Sequence, residues 1–261
     1  MTTELQARAE ESPAQGDGGG GILLRGVARA YRGRGGASVQ ALADVSLQAE
    51  SGELVAVVGP SGCGKSTLLE LICGLQSPDR GLLESPPAVL MAQRDLLLPW
   101  LSALDNAALS LRVARVPRPE ARRRAASLFG ELGLDGFQQA RPSELSGGMR
   151  QRVAFMRTLL SGKPVLCLDE PFGALDALTR AEMQEWLEGT LAREPRTVLL
   201  VTHDVEEAIV LADRVIVLSP RPGRVIEELE IGLERPRGRT DGEVVALRER
   251  ALQALQIGRI R

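Results

Sequence analysis

The chain has 261 residues, 32 Lys and Arg against 34 Asp and Glu, a formal net charge of -2 and 44% hydrophobic residues. That composition supports a substantial core and lacks the basic footprint of a nucleic-acid binder, so no nucleic-acid partner is expected. Cys63, Cys73 and Cys167 have no metal-like spacing and cannot all pair, which suits a reducing cytosol. No apolar run approaches the ~20 residues of a membrane helix and no signal peptide opens the chain. A soluble protein is expected, held at a membrane only through a partner.

Residues 1–21 are polar and end in Gly18-Gly19-Gly20-Gly21, the composition of a disordered tail. Residues 22–31 read as a strand, Gly33-Arg34-Gly35-Gly36 as a turn, and 39–50 as further short strands, which predicts an antiparallel β layer beside the main sheet. The apolar run Leu54-Val55-Ala56-Val57-Val58 then leads through Gly59-Pro60-Ser61-Gly62-Cys63-Gly64-Lys65-Ser66-Thr67 into the helical Leu68-Leu69-Glu70-Leu71-Ile72. Strand, glycine-rich loop and helix in that order match G-x-x-x-x-G-K-[ST] in the context it requires. The glycines let successive N–H groups turn inward, and the helix start adds its unpaired N–H groups and positive dipole end. Lys65 is the candidate to neutralise the β- and γ-phosphates, and Ser66 to take one position on Mg²⁺. A plain glycine turn is the alternative. The full pattern favours binding of a nucleoside triphosphate.

Residues 88–92 form another apolar run ending at Gln93, and from 101 to 160 the pattern is helical. Pro119 and Glu120 suit a helix start, Ala125, Leu128, Phe129 and Leu132 its apolar stripe, and Gly133 its end. A second helix follows Ser146-Gly147-Gly148 and carries Arg150 and Arg152. Serine and two glycines at a helix start make a second anion cradle. Either it merely caps its helix, or it serves the nucleotide of another copy in a two-fold pair. Strand signals return at 164–168, 197–202 and 214–218, with helices at 174–194 and 205–212 between them, describing a parallel sheet with crossover helices. Asp169 and Glu170 close the first of these strands, at the carboxyl end where ligands collect in open α/β sheets. Asp169 is placed to reach Mg²⁺ and Glu170 to act as general base on the attacking water. A solvated acidic pair is the rival reading, which the P-loop upstream disfavours. Pro222-Gly223 reads as a hairpin turn into 224–231, and 241–257 as an amphipathic helix.

Together these residues resemble the ATP-binding subunit of ABC transporters across 22–218, with 59–67, 145–152, 165–171, 173–176 and His203 in family order. The resemblance implies an α/β, RecA-like P-loop NTPase core with a mixed, largely parallel sheet, an antiparallel β subdomain and an α-helical subdomain at about 96–161. The ATPase domain would span 22–231, and a carboxyl-terminal extension 232–261. ATP and Mg²⁺ are the implied cofactors, with Ser66, Gln93 and Asp169 around the metal and Gly59 to Thr67 around the phosphates. His203, the only histidine, resembles the switch residue that contacts the γ-phosphate and acts beside Glu170. Tyr31, the only tyrosine, matches the residue that stacks on adenine, although a tyrosine closing a strand is the competing reading. Ser146, Gly147, Gly148 and Met149 would clasp ATP held by the opposite subunit, and Asp176 would belong to the D-loop joining the two sites. Met149 stands where many members carry glutamine, and Cys63 is a variable position; neither change removes a phosphate ligand.

Finer similarity, carried by the run from Gln93 to Trp100, by Asp105-Asn106, by 169–180 and by Ser219-Pro220-Arg221-Pro222-Gly223-Arg224, is to the nitrate, sulfonate and taurine import branch. The implied function is ATP hydrolysis that energises solute import. Its implied partners are a second copy of the chain, a separate integral membrane permease, and an extracytoplasmic solute-binding protein acting through that permease. The expected location is the cytoplasmic face of the membrane, as a peripheral subunit. An exporter subunit is the main alternative, since cassette motifs do not encode direction. A soluble ABC-type ATPase working on ribosomes or DNA is disfavoured by the single cassette and the pI near 5.7. Leu96, Leu97, Leu98 and Trp100 form an apolar cluster just past Gln93, which Pro99 stiffens. A permease contact is expected there, with packing inside the helical subdomain as the alternative.

Overall fold

The computed structural model describes residues 21–32 and 36–260. Residues 1–20 of the expected tail at 1–21, and Gly33-Arg34-Gly35 of the expected turn, lie outside the described residues.

Strand β1 (Ile22–Arg32) buries Ile22, Leu24 and Val27 and pairs antiparallel with β2 (Ser38–Ala49). Several short strands were expected over 39–50; one twelve-residue strand runs there instead. Register shifts after Leu24 and Val27 let the long pair curve without breaking. β3 (Leu54–Val58) is buried at every residue, as a central parallel strand is. It runs through the P-loop into α1 (Lys65–Ile72). β4 (Arg80–Glu84), which sequence reading missed, adds to the other edge of β1. It is exposed along most of its length, so no alternation announced it.

After β5 (Ala88–Met91), four helices fill 103–159: α2 (Ala103–Ala107), α3 (Leu109–Val113), α4 (Arg118–Glu131) and α5 (Gly147–Leu159). Gly133, at φ +60, takes the left-handed position just past the end of α4 that glycine tolerates best. β6 (Val165–Asp169) is followed by α6 (Ala177–Arg193). That helix was expected to begin at 174. It begins at Ala177 because Asp176 is its cap, accepting a hydrogen bond from the Thr179 N–H at 3.1 Å, and 174–176 are turn. β7 (Thr197–Thr202), α7 (Val205–Leu211), β8 (Arg214–Leu218), β9 (Val225–Glu230) and α8 (Gly242–Ile260) complete the chain.

The result is a RecA-like α/β core. Its sheet has the order β5-β6-β7-β3-β8-β9, parallel except for β9, beside the antiparallel sheet β2-β1-β4. Period-two alternation divides the core. Val55, Val57, Cys167, Leu199 and Val201 face α1 and the antiparallel layer, while Ala56, Val58, Leu166, Leu168 and Leu200 face the other helices. In this register Val58 lies beside Thr202, and Asp169 beside Val201. The carboxyl ends of β3, β6 and β7 therefore open on one edge, where ligands bind in such sheets.

The carboxyl-terminal segment is tied to the end of α7 by Arg237, which is 8% exposed. Its guanidinium donates to the carbonyls of Ile209, Val210, Ala212, Ile231 and Leu233, among them the orphan carbonyls ending α7. Arg239 and Arg248 both reach Glu206 on α7.

Candidate nucleotide site

The P-loop is shaped by what it cannot hold. At Gly64, φ is +109 and an added Cβ would sit 2.8 Å from the Ala41 carbonyl oxygen and 2.6 Å from Leu42 Cδ2. Only glycine fits that turn. Lys65 is 8% exposed, and its ammonium donates to the carbonyls of Gly59 at 2.7 Å and Pro60 at 3.0 Å. Gly59 and Pro60 thus orient the lysine and do not line the cleft. Cys63 is buried beneath the loop, where burial pushes its thiol pKa up. Ser61, Gly62, Gly64, Lys65, Ser66 and Thr67 line one wall of an open cleft of about 650 Å³. Tyr31 lines it too, with its hydroxyl 3.1 Å from Thr67 Oγ1 and the Arg29 guanidinium 5.3 Å from its ring centroid. Arg29 covers one face of the ring in a cation–π contact.

At the opposite wall Ser66 donates its hydroxyl to Asp169 Oδ2 at 2.7 Å. Asp169 is 7% exposed; burial raises its carboxyl pKa, the Ser66 hydrogen bond opposes that, and the neighbouring Glu170 charge adds to it. Hydroxyl and carboxylate oxygens are the hard donors that suit Mg²⁺, an ion commonly held by one or two protein oxygens plus nucleotide phosphates. Among the described residues, no group of three His, Cys, Asp or Glu side chains forms a metal centre of its own.

Glu170 follows immediately in a left-handed backbone conformation, φ +48, that costs a non-glycine residue about 1–2 kcal/mol. Its N–H donates to the Val201 carbonyl at 2.8 Å and its carbonyl accepts from Gly173 at 3.1 Å, which fixes the bend. The carboxylate is thereby aimed along the sheet edge. It accepts from Gln93 Nε2 at 3.0 Å and lies 3.3 Å from His203 Nδ1. Gln93 follows β5, Glu170 follows β6 and His203 follows β7, three adjacent strands, so a separation of 77 residues between Gln93 and Glu170 closes to one hydrogen bond. Asp204 then caps α7 by accepting from the N–H groups of Glu206 and Glu207.

Ser146 accepts from the Met149 N–H at 3.2 Å and caps α5. Ser146, Gly147, Gly148 and Met149 stand apart from the cleft of their own chain. Gly148 packs beside Leu175, where an added Cβ would come within 3.1 Å. The carboxyl of neighbouring Asp176 is held below the usual carboxylate range by hydrogen bonds from Thr179.

The apolar cluster past Gln93 divides. Leu96 and Trp100 are 61% and 67% exposed, and Leu98 is half-buried. Leu97 corrects the expectation of a surface contact: it is 8% exposed and belongs to the core under the helices. The segment is pinned as a loop by Asp95 accepting from the Leu97 N–H, Asn106 bonding both polar groups of Leu98, and Arg157 holding the carbonyls of Asp95 and Leu96. Those anchors turn Leu97 inward and Trp100 outward. Sequence reading missed Val39, Ala41 and Arg221, which also line the cleft. No local signal marks them, since they arrive from β2 and from the loop after β8.

The family profile described as ABC transporter matches residues 42–173. An aliphatic sulfonates import ATP-binding protein of Rhodococcus jostii (strain RHA1) is 47% identical over 242 residues, covering 90% of this chain and 93% of the relative. A protein of the same description from Pseudomonas syringae pv. syringae (strain B728a) is 46% identical over 215 residues, covering 82% and 88% respectively. Among solved structures, a dimeric ATP-binding cassette in a post-hydrolysis state, bound to ADP and Pi, matches with a TM-score of 0.74 at 30% identity, covering 83% of this chain and 99% of that one.

Proposed function

Since this chain belongs to the ABC transporter family, we propose that it energises uptake of aliphatic sulfonates or closely related anions through a separate membrane permease. It is an ATP-hydrolysing cassette of importer type. The observation that carries the sulfonate reading is identity of 46–47% over most of both chains to relatives described as sulfonate importers. The exporter alternative finds no support among them. No helix of the described residues is long and apolar enough to cross a membrane. In this proposal the permease is a separate partner, and this subunit sits peripherally at its cytoplasmic face. An extracytoplasmic binding protein delivers the solute to that permease.

In this reading the P-loop N–H groups, the start of α1 and Lys65 hold the phosphates. Ser66, Asp169 and Gln93 would hold Mg²⁺, whose charge would offset that of the β- and γ-phosphates. Tyr31 stacks on adenine. Glu170 accepts the proton of a water whose oxygen attacks the γ-phosphorus as the bond from that phosphorus to the β–γ bridging oxygen breaks, so that ADP leaves, and Gln93 and His203 keep its carboxylate aimed. A second copy brings Ser146, Gly147, Gly148 and Met149 onto the same nucleotide, and Asp176 links the two sites. Leu96, Leu98 and Trp100 meet the permease.

Deleting the gene should abolish uptake of a labelled alkanesulfonate while leaving uptake of sulfate intact. A wild-type copy should restore it and Glu170→Gln should not. Undiminished alkanesulfonate uptake in the deletion strain would refute the sulfonate assignment.

A further inference from the structure

Arg221 lies in the cleft wall, on a loop built to hold it there. Ser219 closes that loop on both sides: its N–H donates to the Arg224 carbonyl at 2.9 Å, and its hydroxyl accepts from the Arg224 N–H at 3.0 Å. Gly223 then clamps the loop to β2, donating to the Ala41 carbonyl and accepting from the Ala43 N–H, each at 2.9 Å. The loop also rests on the P-loop, since a Cβ at Gly223 would lie 2.2 Å from the Cys63 carbonyl oxygen. Position 221 is thus set by backbone contacts to two walls of the cleft.

The Arg221 Nε donates to the Gly62 carbonyl at 3.0 Å. Its terminal nitrogens make no hydrogen bond or ion pair among the described residues, although a guanidinium carries five N–H donors in a fixed fork. The fork is exposed and faces the same cleft as Lys65. Lys65 lies deep, on the carbonyls of Gly59 and Pro60, and the acids Asp169 and Glu170 close β6, with Gln93 and His203 after β5 and β7 on either side. Arg221 follows β8, on the far side of β3 from that cluster. Strands are about 4.8 Å apart, so its flank is more than a phosphate's width away from Glu170 and beside Val39 and Ala41.

Building on the ATP-binding reading, we propose that Arg221 is a nucleotide-contact residue that grips the α-phosphate through its terminal nitrogens, opposite the Gln93–Glu170–His203 end of the cleft. Forked N–H donors match phosphate oxygens two at a time, and charge-assisted bonds of this kind are about twice as strong as neutral ones. Because the α-phosphate is common to ATP and ADP, Arg221 holds both nucleotides, whereas the γ-phosphate contacts hold only ATP.

The test is calorimetric titration of the full chain with Mg-ATP and Mg-ADP, using wild type, Arg221→Gln, Arg221→Lys and Lys65→Ala, with nucleotide-free melting alongside. Arg221→Gln keeps a donor for the Gly62 carbonyl but loses the charge; it should weaken ATP and ADP alike by roughly ten- to a hundredfold. Arg221→Lys should recover part of that loss, because it restores the charge but not the fork; melting should be unchanged, and the deficit should shrink as salt rises. Wild-type affinity in Arg221→Gln, or a loss that Lys does not recover and that tracks lowered melting, overturns the proposal and makes Arg221 a brace for the P-loop. A wild-type chain that binds neither nucleotide overturns the ATP-binding reading itself, and the Arg221 contact with it.

Discussion

Replacing Arg237 by Met keeps an unbranched apolar stem and removes every donor. Six hydrogen bonds to five carbonyls are lost, from Arg237 Nε, Nη1 and Nη2 to Ile209, Val210, Ala212, Ile231 and Leu233. Ile209 and Ala212 are 0% exposed and Ile231 is 4% exposed, so water does not readily replace the arginine there. Each buried acceptor left without a partner costs about 1–3 kcal/mol. The variant recovers part of this, because burying a guanidinium is itself costly. A net loss of about 3–5 kcal/mol follows, the range for breaking one side of a buried charged network. For a chain of this size that lowers Tm by about 6–20 °C. Urea unfolding without nucleotide, read by circular dichroism, measures it, and the midpoint should fall with an unchanged m-value. Arg237→Lys should restore less than half, since one ammonium cannot reach carbonyls on both α7 and the segment after β9. An Arg237→Met chain within about 1 kcal/mol of wild type would refute the view that this side chain ties the carboxyl-terminal segment to α7.

Four further outcomes are expected. Glu170→Gln keeps the shape and the contact with Gln93, so ATP binding should persist while hydrolysis falls by about 10²–10⁴, and dimers should accumulate with ATP on size exclusion; wild-type turnover would remove Glu170 from the base role. A subunit altered at Ser146 mixed with one altered at Lys65 should regain part of the ATPase activity through dimers with one intact site, and heterodimers that form without any recovery would count against clasping in trans. Glu207 has its carboxyl pKa raised by burial, so its contribution to stability is intact below the ordinary value of 4.5 and is lost as pH rises through the raised value. Glu207→Gln, neutral throughout, should gain in Tm relative to wild type as pH rises above 4.5, and a gap that stays constant would contradict the assignment. Trp100→Ala should shift isolated-subunit stability by no more than about 0.5 kcal/mol, because the indole is 67% exposed, yet should weaken co-purification with the permease; a core-like loss of about 3–5 kcal/mol would retire the docking role.

The phosphate cradle was legible in the sequence because it is a local object. Nine consecutive residues between a buried strand and a helix dictate their own backbone path, and Gly64 at φ +109 is the conformation its glycine announced. Asp169 and Glu170 were legible for a related reason: an apolar strand names its own carboxyl end, and two acids there have few other uses. The cap at Ser146 likewise follows from a short side chain beside free N–H groups; Asp176 and Asp204 cap α6 and α7 in the same way without having been read as caps, and the start of α6 shifted by three residues when Asp176 proved to be one.

What the chain could not announce along its length is which distant pieces become neighbours. β4 has no alternation because it is an exposed edge, and it exists only because β1 offers it a partner. Leu97 and Trp100 belong to one apolar run, yet hydrogen bonds from Asn106 and Arg157 send one into the core and leave the other outside. Arg221 and Arg237 are ordinary arginines in sequence; the first faces a nucleotide cleft and the second is buried only because the segments after β8 and β9 fold back on the P-loop and on α7. Gln93, Glu170 and His203 were each named from position, but their meeting at one carboxylate is decided by the strand order β5-β6-β7. Backbone conformation responds to a few neighbouring residues, so the sequence alone determined the loop, the caps and the strand ends. Strand order and burial are settled by competition among all the surfaces of the chain, so only the tertiary structure decided which of those ends share a site.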